Sequence, residues 1–202
     1  MKIICVGRNY AEHARELGNS IPKEPVLFMK PQTALNPSNF FAIPSFSEDI
    51  HFELELVLKI SKNGKDIFYE NAQEYYHEIA LGIDFTARDL QTELKTAGLP
   101  WEKAKAFDNS AVVSHFISLN TLNNQKEIQF QLFKNKDLKQ SGNTKNLLFD
   151  FNKIIENCSK YFTLEKGDLI FTGTPEGVGS IQKNDILYGY LEGNKMLEIN
   201  IQ

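Results

Sequence analysis

The sequence predicts a mainly β protein of the α+β class with few, short helices. Nine runs of strand-forming residues support this, at 2–6, 26–29, 51–60, 79–85, 115–119, 128–133, 168–172, 186–191 and 196–201. Turn sequences at 62–65, 135–137 and 192–194 connect several of these runs. Such turns join neighbouring strands directly, so we expect antiparallel hairpins and not a regular βαβ alternation.

Four helical patterns interrupt the strands, at 9–17, at the capping-box sequence 71–74, at 86–96 and at 151–161. Thr86 and Asp150 are the expected N-caps of the last two, because their side-chain oxygens can accept from free amides of the first turn. Gly98 and Pro100 end the third helix. The helices are therefore few, and we expect them to be minor elements packed against β-sheets.

Length and composition are those of one globular unit. The 202 residues can bury one sizeable core, so we expect a single domain over residues 1–202. Hydrophobic residues make up 42% and charged residues 24%, and the formal net charge is -4. This balance lacks the basic surface that nucleic acid binding requires, and we expect no nucleic acid partner.

Export and membrane signals are not recognisable in the sequence. The apolar run at residues 3–6 is too short for a signal-peptide core, and no run reaches membrane-spanning length. Cys5 and Cys158 are far apart and have no neighbouring histidine, which indicates two buried, reduced thiols and not a zinc site. We expect a cytoplasmic protein with no membrane partner.

Two carboxylates share one face of the predicted strand at 51–60. Glu53 and Glu55 alternate with apolar residues, and they repel each other unless water or a metal ion takes up their charge. Asp84 ends another apolar run and adds a third carboxylate. Mg²⁺ prefers hard oxygen ligands of this kind. Strand periodicity alone leaves a second interpretation open, an amphipathic strand with a solvated acidic face.

His13 and Glu16 form a candidate catalytic pair. They are three residues apart in a helical pattern, so they share a face and can form a hydrogen bond. A carboxylate that accepts from one imidazole nitrogen leaves the other nitrogen free as a general base. An ordinary solvated ion pair is the alternative.

Three further segments carry candidate substrate-binding side chains. Arg88 and Gln91 share a face of the third helix and can hold a carboxylate or enolate oxygen, although helix arginines commonly form surface ion pairs. Lys105 lies in an alternating, extended pattern, in which a solvent-facing lysine is expected by default, whereas a lysine close to three acids would contact substrate. Thr174 lies in a Gly-rich turn that lacks a P-loop signature, with amides and a hydroxyl that suit a carboxylate.

Together these segments resemble the fumarylacetoacetate hydrolase family, in the family's order and across nearly the whole chain. Six motifs carry the resemblance: Gly7-Arg8-Asn9-Tyr10 with His13 and Glu16, Lys30-Pro31, Glu53-Leu54-Glu55, Asp84-Phe85-Thr86-Ala87-Arg88-Asp89, Lys105-Ala106-Phe107-Asp108, and Thr172-Gly173-Thr174-Pro175-Glu176-Gly177-Val178-Gly179. Any one motif alone is weak, but six in order are specific. The short chain looks most like the acylpyruvase and oxaloacetate decarboxylase branch.

The resemblance implies the family's β-rich catalytic domain, a sandwich-like roll or distorted barrel, and a homodimer. Mg²⁺ or Mn²⁺ would be held by Glu53, Glu55 and Asp84, and His13 with Glu16 would be a water-activating dyad on a lid. The implied catalytic lysine is Lys105. The implied substrate contacts are Arg8, Lys30, Arg88, Gln91 and Thr174. Many relatives place a proline after the Lys-x-Phe motif, whereas this chain has none at 108–114. We expect that segment to border the pocket.

The implied function is metal-dependent C–C bond cleavage in a 2-oxo acid. Acylpyruvates (2,4-dioxo acids) would be hydrolysed to pyruvate and a carboxylate, with His13 activating water and Lys105 stabilising negative charge. Oxaloacetate decarboxylation would use the same metal enolate, so both reactions stay open. Isomerisation of an unsaturated dicarboxylate such as 2-hydroxyhepta-2,4-diene-1,7-dioate is a third. A β-rich module with a structural Ca²⁺ is the non-enzyme alternative, and it leaves His13 and Lys105 unexplained.

Overall fold

The computed structural model describes residues 1–202 and confirms the mainly β fold class. Its strands, in chain order, are Ile3–Gly7 (β1), Val26–Lys30 (β2), Leu35–Asn36 (β3), Phe40–Phe41 (β4), Ile50–Phe52 (β5), Leu54–Ile60 (β6), Tyr76–Asp84 (β7), Thr86–Ala87 (β8), Ala111–Val113 (β9), Ile117–Ser118 (β10), Gln129–Lys134 (β11), Asp137–Asn143 (β12), Leu169–Phe171 (β13), Gly179–Ser180 (β14), Ile186–Leu191 (β15) and Asn194–Ile201 (β16). The α-helices are Ala11–Glu16 (α1), Arg88–Thr96 (α2), Glu102–Lys105 (α3) and Phe151–Tyr161 (α4). Short 3₁₀ helices cover Gln32–Ala34, Tyr69–Tyr75, Leu119–Thr121 and Thr144–Asn146. None of the helices has the length and apolar character needed to cross a bilayer.

The strands form three sheets. An eight-stranded sheet has the order β2-β1-β13-β6-β7-β9-β3, with β10 also paired to β7. A five-stranded sheet has the order β12-β11-β15-β16-β4, and a three-stranded sheet has the order β14-β5-β8. Most neighbours are antiparallel, as the turn sequences predicted; the parallel pairs are β1 with β13, β3 with β9, and β4 with β16.

Two of the three predicted hairpin turns are confirmed. Asn135 (φ 59°) begins the turn between β11 and β12, and Glu192 (φ 47°) with Gly193 (φ 77°) joins β15 to β16. These left-handed values are those that two-residue hairpin turns require. The turn at 62–65 differs, because β6 and β7 pair across a longer connection that contains a 3₁₀ helix.

The helix predictions were correct in position and partly wrong in detail. Helix α4 matches its predicted bounds, and the Asp150 carboxylate accepts from the Lys153 amide at 2.8 Å, as expected of an N-cap. The capping-box sequence at 71–74 lies inside a 3₁₀ helix. Thr86 does not cap α2: it lies in β8, Ala87 occupies the cap position, and the Thr86 hydroxyl instead accepts from Lys105. Residues 102–105, predicted as extended, form α3.

Strand β6 is buried on both of its faces. Leu54, Leu56 and Leu58 are fully buried in the larger core, which the eight-stranded sheet shares with residues of the five-stranded sheet. Val57 points the other way and packs in a second, smaller apolar cluster. Glu55 shares the face of Val57 and is 2% exposed. The solvated acidic face that periodicity allowed is therefore absent, because both faces of this sheet are covered.

Strand pairing places the acidic residues side by side. Glu55 in β6 is opposite Gly82 in β7, and the Asp84 amide donates to the Glu53 carbonyl at 2.9 Å. A Cβ on Gly82 would lie 2.6 Å from the Phe171 ring, so this position excludes any side chain. The absence of a side chain at Gly82 leaves room for the Phe171 ring of β13.

We predict that Asp150→Ala lowers the free energy of unfolding by about 1 kcal/mol, because it removes the N-cap of α4. It also removes the acceptor of the Tyr69 hydroxyl at 2.6 Å. Urea denaturation followed by circular dichroism measures the change. Asp150→Asn is the matched control, since asparagine also caps helices well. Equal stability of the alanine variant and the wild type would contradict the assignment of this cap.

Candidate active site

Three carboxylates meet at one end of the eight-stranded sheet. Glu53 lies between β5 and β6, Glu55 lies in β6, and Asp84 ends β7. One oxygen from each lies within 4.8 Å of the others. Their exposed fractions are 5%, 2% and 0%. The structure therefore brings the three predicted metal ligands together in a buried cluster.

The Lys105 ammonium lies among these acids. Its Nζ donates to Glu53 Oε2 at 2.7 Å, to Asp84 Oδ2 at 2.7 Å and to Thr86 Oγ1 at 2.6 Å, so all three donors are used. The Arg88 guanidinium pairs with the other Glu53 oxygen, Oε1. Helices α2 and α3 thus each supply one cation to the cluster.

Lys30 contacts the acid cluster on the side away from the cavity. Its Nζ donates to the Lys105 carbonyl and to Ser110 Oγ at 2.8 Å. It also lies 2.7 Å from Asp84 Oδ1, outside the angular range of a hydrogen bond. Lys30 is fully buried and does not line the cavity, which differs from its predicted substrate contact. Residues 108–114 also lie behind the site and do not border the pocket, because β9 carries them along the edge of β7.

Neighbouring groups of opposite charge determine the ionisation states of Glu53 and Lys105. Burial alone raises the pKa of Glu53, but Lys105 and Arg88 outweigh burial and hold that pKa well below its usual range. Burial lowers the pKa of Lys105, yet Asp84 and Glu53 outweigh it and raise that pKa. Glu53 is therefore ionised at neutral pH and Lys105 is a permanent cation, so Lys105 cannot serve as a base.

Glu55 is the carboxylate that the protein compensates least. Burial, and then repulsion by Asp84 and Glu53, raise the pKa of Glu55 well above its usual range. Its Oε2 accepts from the Gly173 amide at 2.6 Å, and its other oxygen has no protein donor. Asp84 Oδ1 is likewise buried without a hydrogen bond. An all-carboxylate set with unused acceptor capacity fits a hard divalent cation such as Mg²⁺ or Mn²⁺.

The predicted dyad lies on α1, over the acid cluster. His13 Nδ1 is 3.3 Å from Glu16 Oε2, and both Glu16 oxygens accept from the Gly177 amide at 3.2 Å. His13 is 5% exposed and lines the cavity. Burial lowers the pKa of His13 below 6.5, against the opposing effects of Glu53 and Glu16. The ring is therefore neutral near pH 7, with Nε2 free of protein partners.

Gln91 and Thr174 differ in what they can offer to a substrate. Arg88 Nη1 donates to Gln91 Oε1, which fixes the amide and leaves Nε2 without a protein partner. The Thr174 hydroxyl donates to the Leu54 carbonyl at 2.9 Å and accepts from Gln140 Nε2 at 2.7 Å. Gln91 therefore has free donors in the cavity, whereas the Thr174 proton is already committed.

Two positioning residues were missed by the sequence analysis. Asn9 is fully buried; it donates to the carbonyls of Phe149 (3.0 Å) and Thr172 (2.8 Å) and accepts from the Phe149 amide. Gln140 accepts from the Leu54 amide at 2.8 Å, and so joins the acidic strand to the Gly-rich turn. The Gly-Arg-Asn-Tyr motif contained a signal for Asn9. Nothing in the sequence marked Gln140.

These groups open into one cavity above the acid cluster. Its lining residues are Val6, Gly7, Arg8, His13, Leu17, Asn19, Phe28, Glu53, Glu55, Asp84, Arg88, Gln91, Lys95, Trp101, Lys105 and Thr174. All predicted site residues except Glu16 and Lys30 are among them. A cation-binding floor, fixed positive charges and a neutral imidazole facing one cavity can bind an anionic substrate and move a proton on it.

Comparison with known proteins agrees with this geometry. Residues 2–199 match the family described as Fumarylacetoacetate (FAA) hydrolase C-terminal. The bovine (Bos taurus) protein named oxaloacetate tautomerase FAHD1, mitochondrial, is 39% identical over 201 residues, which cover 99% of this chain and 91% of that protein. The Dictyostelium discoideum protein named oxaloacetate decarboxylase, mitochondrial, is 40% identical over 188 residues, which cover 92% and 86%.

A solved structure extends the similarity to the whole fold. The crystal structure of fumarylpyruvate hydrolase from Pseudomonas aeruginosa in complex with Mn²⁺ and pyruvate matches with a TM-score of 0.94 at 36% identity. The match covers 100% of this chain and 89% of that chain. This chain therefore shares its β-rich fold with a relative whose crystal structure contains Mn²⁺ and pyruvate.

We predict that Mg²⁺ or Mn²⁺ raises the melting temperature of the wild type, because an ion that binds only the folded state stabilises it. Glu55→Gln should lower metal affinity at least about tenfold, since even losses outside the ligand sphere reach that size. Its metal-free form should be at least as stable as the wild type at pH 7. The raised pKa of Glu55 means that its ionised form costs stability above the unfolded-state pKa of 4.5.

Differential scanning fluorimetry with and without metal measures both effects, and the exposed Glu127→Gln is the control. A Glu55→Gln variant that keeps the wild-type metal shift would show that Glu55 is not a ligand.

We predict that Lys30→Met lowers the free energy of unfolding by about 3 to 5 kcal/mol, because it leaves buried acceptors around Asp84 without their cation. Lys103→Met, at an exposed lysine of α3, should change stability by less than about 0.5 kcal/mol. Urea denaturation of both variants makes the comparison. If Lys30→Met kept wild-type stability and only raised KM, Lys30 would be a substrate contact and not a structural partner of Asp84.

Proposed function

Because this chain belongs to the fumarylacetoacetate hydrolase family, we propose that it is an enzyme that converts 2-oxo acids through their enol or enolate. Oxaloacetate is the first candidate substrate, by keto–enol tautomerisation or decarboxylation, which are the activities that name its bovine and Dictyostelium relatives. One observation carries the proposal: the buried acid cluster and the neutral His13 imidazole face each other across one cavity.

A divalent metal completes this proposal. Glu53, Glu55 and Asp84 would hold Mg²⁺ or Mn²⁺, and the ion would supply a Lewis acid for the 2-oxo group. The donor set supports it, since Glu55 keeps an oxygen with no protein donor and Asp84 Oδ1 accepts no hydrogen bond, its one partner being the Lys30 ammonium at 2.7 Å. The Mn²⁺ and pyruvate named for the Pseudomonas relative agree with it. A structural Ca²⁺ module gives no role to the free imidazole.

Different residues of the chain would then bind the substrate, stabilise its charge and transfer the proton. Gln91 Nε2 donates to a substrate oxygen, and its amide is held in place by Arg88. Lys105 keeps positive charge beside the reacting oxygens without taking part in proton transfer. His13 Nε2 takes the proton from C3 of the oxo acid and returns it to oxygen, while Glu16 holds Nδ1.

Acylpyruvate hydrolysis is the second candidate function, and the His13–Glu16 pair favours it. A base oriented by a carboxylate suits activation of water for attack on the distal carbonyl of a 2,4-dioxo acid. The P. aeruginosa relative is named a fumarylpyruvate hydrolase. Isomerisation of an unsaturated dicarboxylate would use the same base for proton relocation alone. Oxaloacetate decarboxylation differs from all of these, because it needs no base to remove a proton from carbon or from water.

We also propose that the protein is a homodimer, as the family resemblance implies. We propose that it acts in the cytoplasm, because its two buried cysteines form no disulfide. Light scattering coupled to size exclusion measures the assembly. A monomer at micromolar concentration would contradict the dimer.

We predict that His13→Ala slows oxaloacetate tautomerisation and acetylpyruvate hydrolysis on the order of a hundredfold, the usual contribution of a general base. Decarboxylation should suffer less. Lys105→Ala should slow all three reactions, because it removes the fixed charge of the cluster. The wild-type kcat/KM should fall on the acidic side only below pH 6.5, since the pKa of His13 is lowered and the base must be neutral.

Enol absorbance and pyruvate release measure these rates at saturating Mg²⁺. The exposed His77→Ala is the matched control. Unchanged tautomerisation and hydrolysis in His13→Ala would remove the dyad from the mechanism.

A further inference from the structure

We propose that Lys95, with Arg8 and Asn19, forms a subsite for a second carboxylate, so that the enzyme selects dianionic over monoanionic substrates. This inference rests on the proposed function, since it names the substrate class of the same cavity. It concerns the mouth of the cavity, whereas the acid cluster forms the floor.

The charges of the cavity are unequally paired. Lys105 and Arg88 are paired with the acids of the floor. Lys95 and Arg8 line the same cavity and form no ion pair with any carboxylate. The one protein partner of Lys95 Nζ is Asn19 Oδ1, at 3.1 Å. Partial burial, and then repulsion by Arg8 and Arg88, lower the pKa of Lys95. These cations therefore repel one another until an anion binds between them.

The geometry of α2 directs Lys95 towards the floor. Arg88, Gln91 and Lys95 are spaced three and four residues apart, so they lie on one face of the helix. Seven residues separate the Cα atoms of Arg88 and Lys95 by about 10 Å along the axis, and helix side chains lean towards the N-terminus. The Lys95 amine thus lies nearer to the cluster than its Cα. One end of a short dicarboxylate can reach the floor while the other end meets Lys95.

Arg8 lines the same cavity. Its backbone has a φ of 60°, a left-handed value that is unfavourable for an arginine. Its guanidinium carbon is 6.0 Å from the centre of the Trp101 ring, and it has no hydrogen-bond partner in the protein. A strained backbone that points a free guanidinium into a cavity is typical of ligand-binding positions. Planar guanidinium donors match a carboxylate.

Matched ligands test the subsite without turnover. Malate and lactate differ by one carboxylate, and calorimetry with the Mg²⁺-loaded protein gives the affinity of each. We expect malate to bind about tenfold more tightly than lactate, and this preference to decrease with salt. Lys95→Met should reduce the preference to less than about threefold, and Lys95→Arg should restore it. The exposed Lys103→Met should keep it.

Kinetics gives a second readout. Lys95→Met should raise KM for oxaloacetate about fivefold or more with little change in kcat, and should leave KM for acetylpyruvate within about twofold. Equal affinity of the wild type for malate and lactate, or a preference that survives Lys95→Met, would overturn the subsite. A Lys95-dependent malate preference in a protein that converts neither 2-oxo acid would support the subsite and overturn the proposed function instead.

Discussion

The free energy of burying charge governs the arrangement of this site. A carboxylate that leaves water is strongly destabilised unless fixed partners replace that water. Glu53 and Asp84 meet this requirement through Lys105, whose three donors are all used in the cluster. The chain must therefore place α3 beneath the ends of β6 and β7, and place Lys30 where it can hold the Lys105 carbonyl. The position of α3 thus depends on the pairing of one ammonium group with two buried carboxylates.

The three acids and the three cations of Lys30, Lys105 and Arg88 balance in number, and this changes the meaning of the metal site. Mutual repulsion of the acids suggested from the sequence that a divalent ion is needed to hold them together. In the structure the protein's own cations already do so, and only Glu55 remains poorly compensated. The protein's own cations therefore balance most of the charge of the cluster, and the proposed ion would mainly compensate Glu55.

Local patterns predicted what depends on neighbouring residues, and failed where a distant partner decided. The strand runs, two hairpin turns and the Asp150 cap were predictable, because each is set within a few residues. Thr86 has the propensity of a cap, but the ammonium of Lys105 takes its hydroxyl. The Lys30-Pro31 motif marked Lys30, but it did not show that the Lys30 side chain is buried behind the cavity lining. Gln140 joins two sheets, and its burial depends on packing that no local pattern describes.

The fold also separates the charged groups of the acid cluster from the proposed base. The three acids lie in or beside the buried ends of β6 and β7, whereas His13 lies on α1, which has six residues and no side-chain N-cap. At the site, the polar contacts of α1 and the residues after it are those of Glu16 with Gly177 and of Asn19 with Lys95. Short elements with few contacts open at low free-energy cost. The proposed base is therefore carried by a short element with few polar contacts at the site, and such an element can open for substrate and close over it at low cost.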